Sequence, residues 1–525
     1  MLTPEYLQEL PKELTKHYRE LEERILREVI KSIDDNMDIR GSARVKLEAL
    51  LNIGYDQKKI EEIISKETKL GQKKTEKLIE KAGLKNYAND VNAYKFGGKM
   101  LMAYKKNNPV KNLVKAVKKD AVRDIGNLTG SIGCAGERLT TFYRDRLNQG
   151  AIAIQSGAYS QQEIIRKTIN EMAKSGIQVI NYSSGRNYNI ETAVRMSLMH
   201  HVNHMAGNMA LLNAEDMEQD LMELTAHAGA RPSHAEWQEE IVSLSGRSGY
   251  LSLDDIGYGA ADGFLGVNCR HGWNPYFEGL SERAWSKKDL KNIDNPPFEY
   301  DGKQYDHYQA TQRQRNLERS MRIIKRKVIM YDAVGDKEQF TIESVKLQRL
   351  RKEYKKFTKA SKLKSQVYRS QAAGYNKSIS SKQVWANKKA EKEAKKLYKT
   401  KDPLASYLKD LPLRKEIKTN PNYKVVREGK QDLHLGNLRN IKMKSQFMNT
   451  KEEVEKIIFE HMGKGEIFDK RKTHLKELIE DTRLKGKIYD EATGVIKDTS
   501  KGTIHYSKKG VHLVPTLRSF KELKK

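Results

Sequence analysis

The pattern of apolar and polar residues changes three times along this 525-residue chain, and that change limits the fold more than any other feature. Residues 1–125 repeat apolar side chains at helical spacing, whereas residues 126–280 hold more glycine, serine and aromatic residues and fewer charges. Residues 281–424 return to basic helical sequence, and residues 425–525 end in strand-like segments separated by glycines. These changes predict a multidomain fold: a mainly α N-terminal module, an α+β domain, a basic helical linker and a small α+β domain.

Two helical stretches allow a finer prediction. Gly54, Gly71 and Gly83 interrupt the N-terminal module, so residues 56–86 are expected to form two short amphipathic helices with a charged surface. The linker is expected to be mostly helical and exposed. Its Lys/Ala-rich run at 386–399 is expected to be a spacer helix or a mobile segment, because it has little with which to build a core.

The chain carries a strong excess of positive charge. It contains 98 Lys and Arg against 69 Asp and Glu, a formal net charge of +29, which favours contact with nucleic acid. No apolar run approaches the roughly 18–20 residues of a membrane span, and the N-terminus lacks a secretory pattern, so neither a membrane protein nor an exported one is expected. Two cysteines, Cys134 and Cys269, cannot build a disulfide scaffold and favour a reducing compartment.

Two motifs of the α+β domain contain candidate metal ligands. His227 and His234 lie in HAGARPSHAEWQ, and Cys269 and His271 lie in NCRHGW, so three imidazoles and one thiolate could converge on a tetrahedral zinc ion. The alternative is that these histidines cap turns or bond to backbone carbonyls. A Cys269/His nucleophilic pair is a further alternative, for which the sequence offers no orienting third group. In either case the two motifs are expected to be neighbours within one folded unit.

The C-terminal segment has the residues for metal-independent RNA cleavage. Side chains alternate along a strand, so Thr503, His505 and Ser507 are expected on one face and Ile504 and Tyr506 on the other. A histidine can take the proton of a ribose 2′-hydroxyl, and lysines can neutralise the charge that develops on the phosphate. No carboxylate cluster suggests a metal nuclease, so no cofactor is expected for this reaction.

The register of the C-terminal hairpin is left open by the sequence. If residues 509–510 alone form the turn, Ser507 pairs with His512 and both histidines of the hairpin share a face. If residues 508–510 form a bulged loop, Ser507 pairs with Val511 and His512 faces away.

The motifs of the first two thirds of the chain resemble those of a known family. LTGSIG at 128–133, HAGARPSHAEWQ at 227–238 and GVNCRHGWNPYFEG at 266–279 are similar to the second type of phage minor capsid protein, which is related to the Mu-type head-morphogenesis proteins. The resemblance covers roughly residues 1–365. It implies a virion component inside the capsid near the portal, with the portal, other head proteins and packaged DNA as partners.

A second resemblance covers roughly the last 100 residues. KQDLH at 430–434, DEATG at 490–494 and TIHYSKKG at 503–510 are similar to the polymorphic-toxin type 50 domain, a predicted RNase, although LGNLRN at 435–440 departs from that family's pattern. The resemblance implies an RNA substrate and a cognate immunity protein. The residues that it places at the site are His434, His505, Ser507 and His512 for catalysis and Lys444, Thr503 and Lys508 for holding the substrate.

Together these observations predict a phage-head minor protein that carries an RNase toxin domain. It would be present in the virion, and in the host cytoplasm before assembly or after ejection with the genome. One alternative is a purely structural head protein whose basic C-terminal region binds packaged DNA without catalysis. The other is a cellular toxin that is encoded by an integrated element and never packaged.

Overall fold

The computed structural model describes most of the chain and divides it into two compact units. The described residues are 2–36, 43–134, 137–139, 141–142, 145, 161–179, 187–398, 401–436, 441, 444–469, 475–491 and 493–518. Unit 1 comprises residues 1–336 and 346–380, and unit 2 comprises residues 337–345 and 381–525. Most of the segment 435–440, where the sequence departs from the toxin pattern, lies outside the described residues. No helix in the described residues is long and apolar enough to cross a membrane.

Unit 1 is built mainly from helices, with small sheets inserted between them. Its helices are α1 (Pro4–Glu9), α2 (Lys12–Asn36), α3 (Ala43–Phe96), α4 (Asn108–Gly130), α5 (Gln161–Ser175), α6 (Ile190–Asp216), α7 (Pro232–Ala235), α8 (Lys287–Lys291) and α9 (His307–Ala333). Its strands are β1 (Ile132–Cys134), β2 (Glu137–Arg138), β3 (Ile177–Val179), β4 (Tyr188–Asn189), β5 (Leu221–Leu224), β6 (Ile241–Ser243), β7 (Trp273–Pro275), β8 (Phe298–Tyr300) and β9 (Lys303–Tyr305).

Helix α3 contradicts the prediction of two short helices at 56–86. It runs without interruption for 54 residues and passes through all three glycines that were expected to end helices. Packing explains the glycine at position 71, since a Cβ there would lie 2.1 Å from the hydroxyl oxygen of Tyr18 on α2. Gly71 therefore permits close contact between two helices. Local helix propensity alone instead predicts that this glycine ends a helix.

A three-stranded antiparallel sheet of order β6-β5-β7 brings the two histidine motifs together. Leu224 at the end of β5 is paired with Trp273 at the start of β7. His227 follows the first of these residues closely and His271 precedes the second, so the pairing places the motifs side by side. The prediction that they are neighbours is confirmed, and Trp237 and Trp273 both contact the ring of Phe264.

The helical character of 281–424 is confirmed, but its predicted exposure is wrong. Helix α9 buries Leu317, Met321 and Val328 in unit 1, because its apolar residues recur every three or four positions and form one continuous face. Arg326 of the same helix is buried against the carboxylate of Glu22, at 2.5 Å from Nη2 to Oε2.

Unit 2 combines helices with two antiparallel sheets. Helix α10 (Lys337–Ser361) crosses the boundary between the units, as does α11 (Lys377–Leu397). The remaining helices are α12 (Pro403–Thr419), α13 (Glu428–Gln431) and α14 (Lys451–His461). The strands are β10 (Gln446–Phe447), β11 (Glu466–Asp469), β12 (Lys476–Glu480), β13 (Gly486–Asp490), β14 (Val495–Thr499), β15 (Lys501–Ser507) and β16 (Gly510–Pro515).

The Lys/Ala-rich run forms part of a core and is not a bare spacer. Ala390, Ala394 and Leu397 of α11 are buried together with Val345 and Tyr407. Alanines four positions apart line one face of a helix, and their small size lets the neighbouring aromatic side chains approach it. The many lysines of this run occupy the other faces.

The two sheets of unit 2 have the strand orders β11-β12-β15-β16 and β10-β13-β14. Helix α14 packs Val454, Ile457 and Ile458 against a core that also contains Ile504 of β15 and Leu513 of β16. The same core includes Ile417 and Tyr423, which lie before residue 425, the predicted start of the C-terminal domain.

The C-terminal hairpin adopts neither of the two registers expected from the sequence. Ser507 is paired with Gly510, so residues 508–509 form the turn, and His505 lies directly opposite His512. Side chains of directly opposed residues in an antiparallel pair point to the same face. The two histidines therefore share a face, as the first of the two expected registers also required.

Candidate functional site

Three histidines of unit 2 form a cluster that we call the histidine cluster: His434, His505 and His512. The rings of His505 and His512 lie 4.9 Å apart between centroids because their strands are paired at that position. The ring of His434 is nearly parallel to that of His512 at 6.3 Å, with 13° between their planes. The cluster brings together the three histidines that the sequence nominated from two distant segments.

Hydrogen bonding sets the tautomer of His434. Its Nδ1 lies 2.8 Å from the carbonyl oxygen of Ser445, which can only accept a hydrogen bond, so Nδ1 carries the proton. The Nε2 of the neutral ring is then an acceptor and suits a proton-abstracting role. Burial lowers the pKa of His434, the bond to Ser445 opposes that shift, and the charges of Lys444 and Lys430 add to it.

His512 is held neutral. Burial, followed by the neighbouring His505 and His434, lowers its pKa to about 4. Its Nδ1 is buried and has no hydrogen-bond partner among the described residues. Because His512 is neutral, a proton held by the cluster would lie on one of the other two histidines.

The other nominated residues of unit 2 lie on β15, in the turn that follows it and near His434. Thr503 is buried on the same face of β15 as His505. Ser507 is engaged in the turn, where its Oγ donates to the carbonyl of Gly510 at 2.8 Å. Lys444 and Lys508 are both exposed, the first beside His434 and the second in the turn. The roles assigned to these four residues stay predictions.

Sequence reasoning missed the residue that attaches the His434 segment to the sheet. The amide of Gln431 donates to the carbonyl of Leu513 at 3.1 Å and accepts from the N–H of Leu513 at 2.7 Å. Leu513 follows His512 directly, so this paired contact keeps the 430–434 segment beside β16. Gln431 belongs to the KQDLH motif, but the motif alone does not show which strand it would bind.

A second group lies in unit 1 and consists of His234, Cys269 and His271, which we call the metal group. The three side chains are buried, and their ligand atoms lie within 4.8 Å of one another. The Nδ1 of His271 is 3.4 Å from the Nδ1 of His234 and 3.5 Å from the Sγ of Cys269. Ligands at roughly 2.0–2.3 Å from a tetrahedral zinc are roughly 3.3–3.7 Å apart, so these separations fit such an ion.

Outer hydrogen bonds orient both imidazoles toward a shared centre. The Nε2 of His234 donates to the carbonyl of Asp262 at 2.7 Å, and the Nε2 of His271 donates to the amide oxygen of Gln238 at 3.1 Å. That amide oxygen also accepts the backbone N–H of His227 at 2.8 Å. In the neutral rings both Nδ1 atoms then present lone pairs to each other, an arrangement that a cation between them would stabilise.

His227 is not part of the metal group. Its ring stacks on His271 with centroids 4.3 Å apart, and its Nδ1 lies 3.1 Å from a guanidinium nitrogen of Arg270. The four residues nominated from the sequence are thus brought to one place, but only three of them converge.

The cysteine nucleophile remains the competing interpretation of this group. Gln238 supplies the orienting third group that the sequence did not reveal, because its amide oxygen accepts a hydrogen bond from the Nε2 of His271. However, burial raises the pKa of the Cys269 thiol, which opposes a reactive thiolate. A Cys–His pair also gives no reason for His234 to point its Nδ1 at the same centre.

Comparison with known proteins adds sequence relationships to this geometry. Residues 2–359 match the family profile described as phage minor capsid protein 2, and residues 426–515 match the profile described as bacterial toxin 50. A protein named "Structural protein" from Lactococcus phage LL-H is 27% identical over 146 residues, which cover 26% of this chain and 39% of that protein. The chain thus matches well under half of that relative's length. No solved structure matches the chain.

Proposed function

The chain belongs to the phage minor capsid protein 2 family and carries a C-terminal bacterial toxin domain, and on this premise we propose that it is a head protein that brings an RNase into the virion. The observation that carries the RNase assignment is the histidine cluster inside the toxin domain. Within the head we place the protein near the portal, where its net charge of +29 allows contact with packaged DNA.

The proposed reaction is transesterification of RNA by its own 2′-hydroxyl. His434 takes the proton of the 2′-hydroxyl through its Nε2, and the freed oxygen attacks the adjacent phosphorus. The bond from phosphorus to the 5′-oxygen breaks, and His505 gives a proton to that leaving oxygen. The products are a 2′,3′-cyclic phosphate and a 5′-hydroxyl. Lys444 is suited to neutralising the phosphate oxygens, while neutral His512 positions the two catalytic rings.

The test is cleavage of RNA by the full chain in the presence of EDTA. His505→Ala and His434→Ala should each lower the rate by about 10²–10⁴-fold, the usual cost of a lost general acid or base. His461→Ala is a matched control, since His461 belongs to unit 2 but pairs with Asp481 at 2.8 Å and lies outside the cluster. Full activity in His505→Ala, or activity that disappears with EDTA, would overturn the assignment.

We also propose that the metal group holds a structural zinc ion in unit 1. The support is the convergence of His234, Cys269 and His271 at ligand spacing, with the outer nitrogen of each imidazole already bonded. Elemental analysis should find near-stoichiometric zinc in the wild-type protein and none in Cys269→Ser. Cys134→Ser is the control, because Cys134 is a buried thiol of the same unit that bonds to Ser175. Zinc-free wild-type protein with a Cys269 that alkylates readily would favour the nucleophile instead.

Mass spectrometry of purified particles separates the three candidate functions. Presence of the intact chain in particles supports the virion role, and its absence supports a cellular toxin. Particles that contain the chain but cleave no RNA would support a purely structural head protein.

A further inference from the structure

A cavity of about 600 Å³ opens in unit 1. Among the described residues that line it, nine side chains are cationic and two, Glu191 and Glu318, are carboxylates, which leaves seven positive charges. We call it the arginine cavity after four arginines in its wall, Arg195, Arg270, Arg315 and Arg369. Its volume falls in the range typical of small-molecule sites.

The two carboxylates do not neutralise the four named arginines. Glu191 is occupied by two other arginines of the wall, Arg19 at 3.0 Å and Arg322 at 2.8 Å. Glu318 accepts a hydrogen bond from Tyr354 at 2.8 Å, and its other oxygen is 4.0 Å from Arg369. The cavity therefore keeps most of its positive charge.

Three of the four arginines form no salt bridge with any described residue. In the part of the chain that the structure describes, no carboxylate lies within 4 Å of Arg195, Arg270 or Arg315. Arg195 instead donates to the sulfur of Met199 at 2.9 Å. Arg315 is exposed and lines the cavity. Burial, then the charges of Arg315 and Arg369, lower the pKa of Arg195 to about 10.

Unpaired cations that repel one another are costly to hold together in the partly buried wall of a cavity, and a fold that does so points to an anion that offsets the repulsion. Guanidinium groups present planar pairs of N–H donors that match phosphate oxygens, and a phosphate can accept several such groups at once. A single carboxylate would leave most of the charge uncompensated.

We infer that the arginine cavity binds a small ligand that bears several phosphates. The shared chemistry is a polyphosphate chain, either free or attached to a nucleoside. This site is separate from the toxin domain, and the inference does not depend on RNA cleavage.

The test uses the full chain carrying His505→Ala, so that toxicity does not prevent expression, and two probes, inorganic triphosphate and ATP. Calorimetry should show binding of at least one probe, weakened about tenfold or more in Arg315→Gln and in Arg195→Gln, since each loses a charge-assisted contact. Arg247→Gln is the matched control, because Arg247 is an exposed arginine of unit 1 that pairs with Glu278 at 3.0 Å. Its affinity should change less than twofold.

A second measurement separates a ligand site from a structural role. Without ligand, Arg315→Gln should unfold at the same or a higher temperature than its parent, because it removes like-charge repulsion. Equal affinity for the two probes would identify the polyphosphate chain as the ligand, and tighter binding of ATP would identify a nucleotide. Absence of binding to both probes, or equal weakening in Arg247→Gln, would overturn the inference.

Discussion

Replacing Tyr506 by phenylalanine should destabilise unit 2 while leaving the chemistry of the folded protein intact. The tyrosine hydroxyl donates to Glu477 at 2.5 Å, and the carboxyl group of Glu477 is completely buried. That carboxyl group also accepts the backbone N–H groups of Gly463, at 2.8 Å, and of Gly465. The ring of Tyr506 lies on the core face of β15, opposite to the face that carries His505.

The size of the effect follows from the loss of one donor to a buried acidic group. Leaving such a group short of a partner costs about 1–3 kcal/mol. For a unit of this size each kcal/mol lowers the unfolding temperature by roughly 2–4 °C, so the expected drop is roughly 2–12 °C.

The loss should also depend on pH. Burial raises the pKa of Glu477, and the hydrogen bond from Tyr506 partly opposes that rise. A carboxyl group with a raised folded pKa loses stability as pH increases, because the folded state then resists ionisation. Without the hydroxyl the pKa rises further, so the difference between variant and wild type should be larger at alkaline than at acidic pH.

The assay is thermal unfolding of the full chain across pH, followed by a test of the proposed RNA cleavage at a temperature where both proteins are folded. Tyr423→Phe is the control, since Tyr423 contacts Tyr506 in the same core and its hydroxyl has no hydrogen-bond partner among the described residues. Equal unfolding temperatures for the two variants would refute the energetic argument. Loss of cleavage without loss of stability would refute the assignment of the faces of β15.

Two further predictions concern unit 1. Burial, followed by the nearby Glu223, raises the pKa of Glu239 to about 7, so the stability of the fold should decrease as pH rises from about 4.5 to about 7. Glu239→Gln should flatten that part of the stability profile, measured by thermal unfolding at a series of pH values. An unchanged slope would contradict this prediction. Gly71→Ala should cost about 1–3 kcal/mol in denaturant unfolding because its methyl group would overlap the hydroxyl of Tyr18, whereas Gly130→Ala, where nothing lies within 4 Å, should be close to neutral. Equal stability of the two alanine variants would show that α2 and α3 can move apart freely.

Several features of this protein followed from sequence alone because they depend on neighbours along the chain. Helical spacing identified the helices of 281–424, and strand alternation separated His505 from Tyr506. The two family resemblances were confirmed by matches at 2–359 and 426–515, since both rest on ordered motifs. The proximity of the two histidine motifs was also predicted correctly, although it depends on the pairing of two distant strands, β5 and β7.

Other features were decided by packing between distant segments. Gly71 predicts the end of a helix, but in the structure it permits the close contact of α2 and α3. The alanines of α11 predict a spacer, but in the structure Val345 and Tyr407 pack with them in one core. Local helix propensity contributes less free energy than the burial that such contacts provide, so packing determines the structure where the two disagree.

The sites show the same division. The resemblance to the toxin domain nominated His434, His505 and His512, and residue types nominated the residues of the metal group, because imidazoles and thiols are scarce and chemically distinctive. The arginine cavity left no such signal, since its residues come from separate segments of a chain that contains 98 Lys and Arg. An arginine on a solvated helix face and one that lines a cavity look alike in the sequence. Only the tertiary structure distinguishes the two. It places Arg195, Arg315 and Arg369 around one cavity that has too few carboxylates to neutralise them.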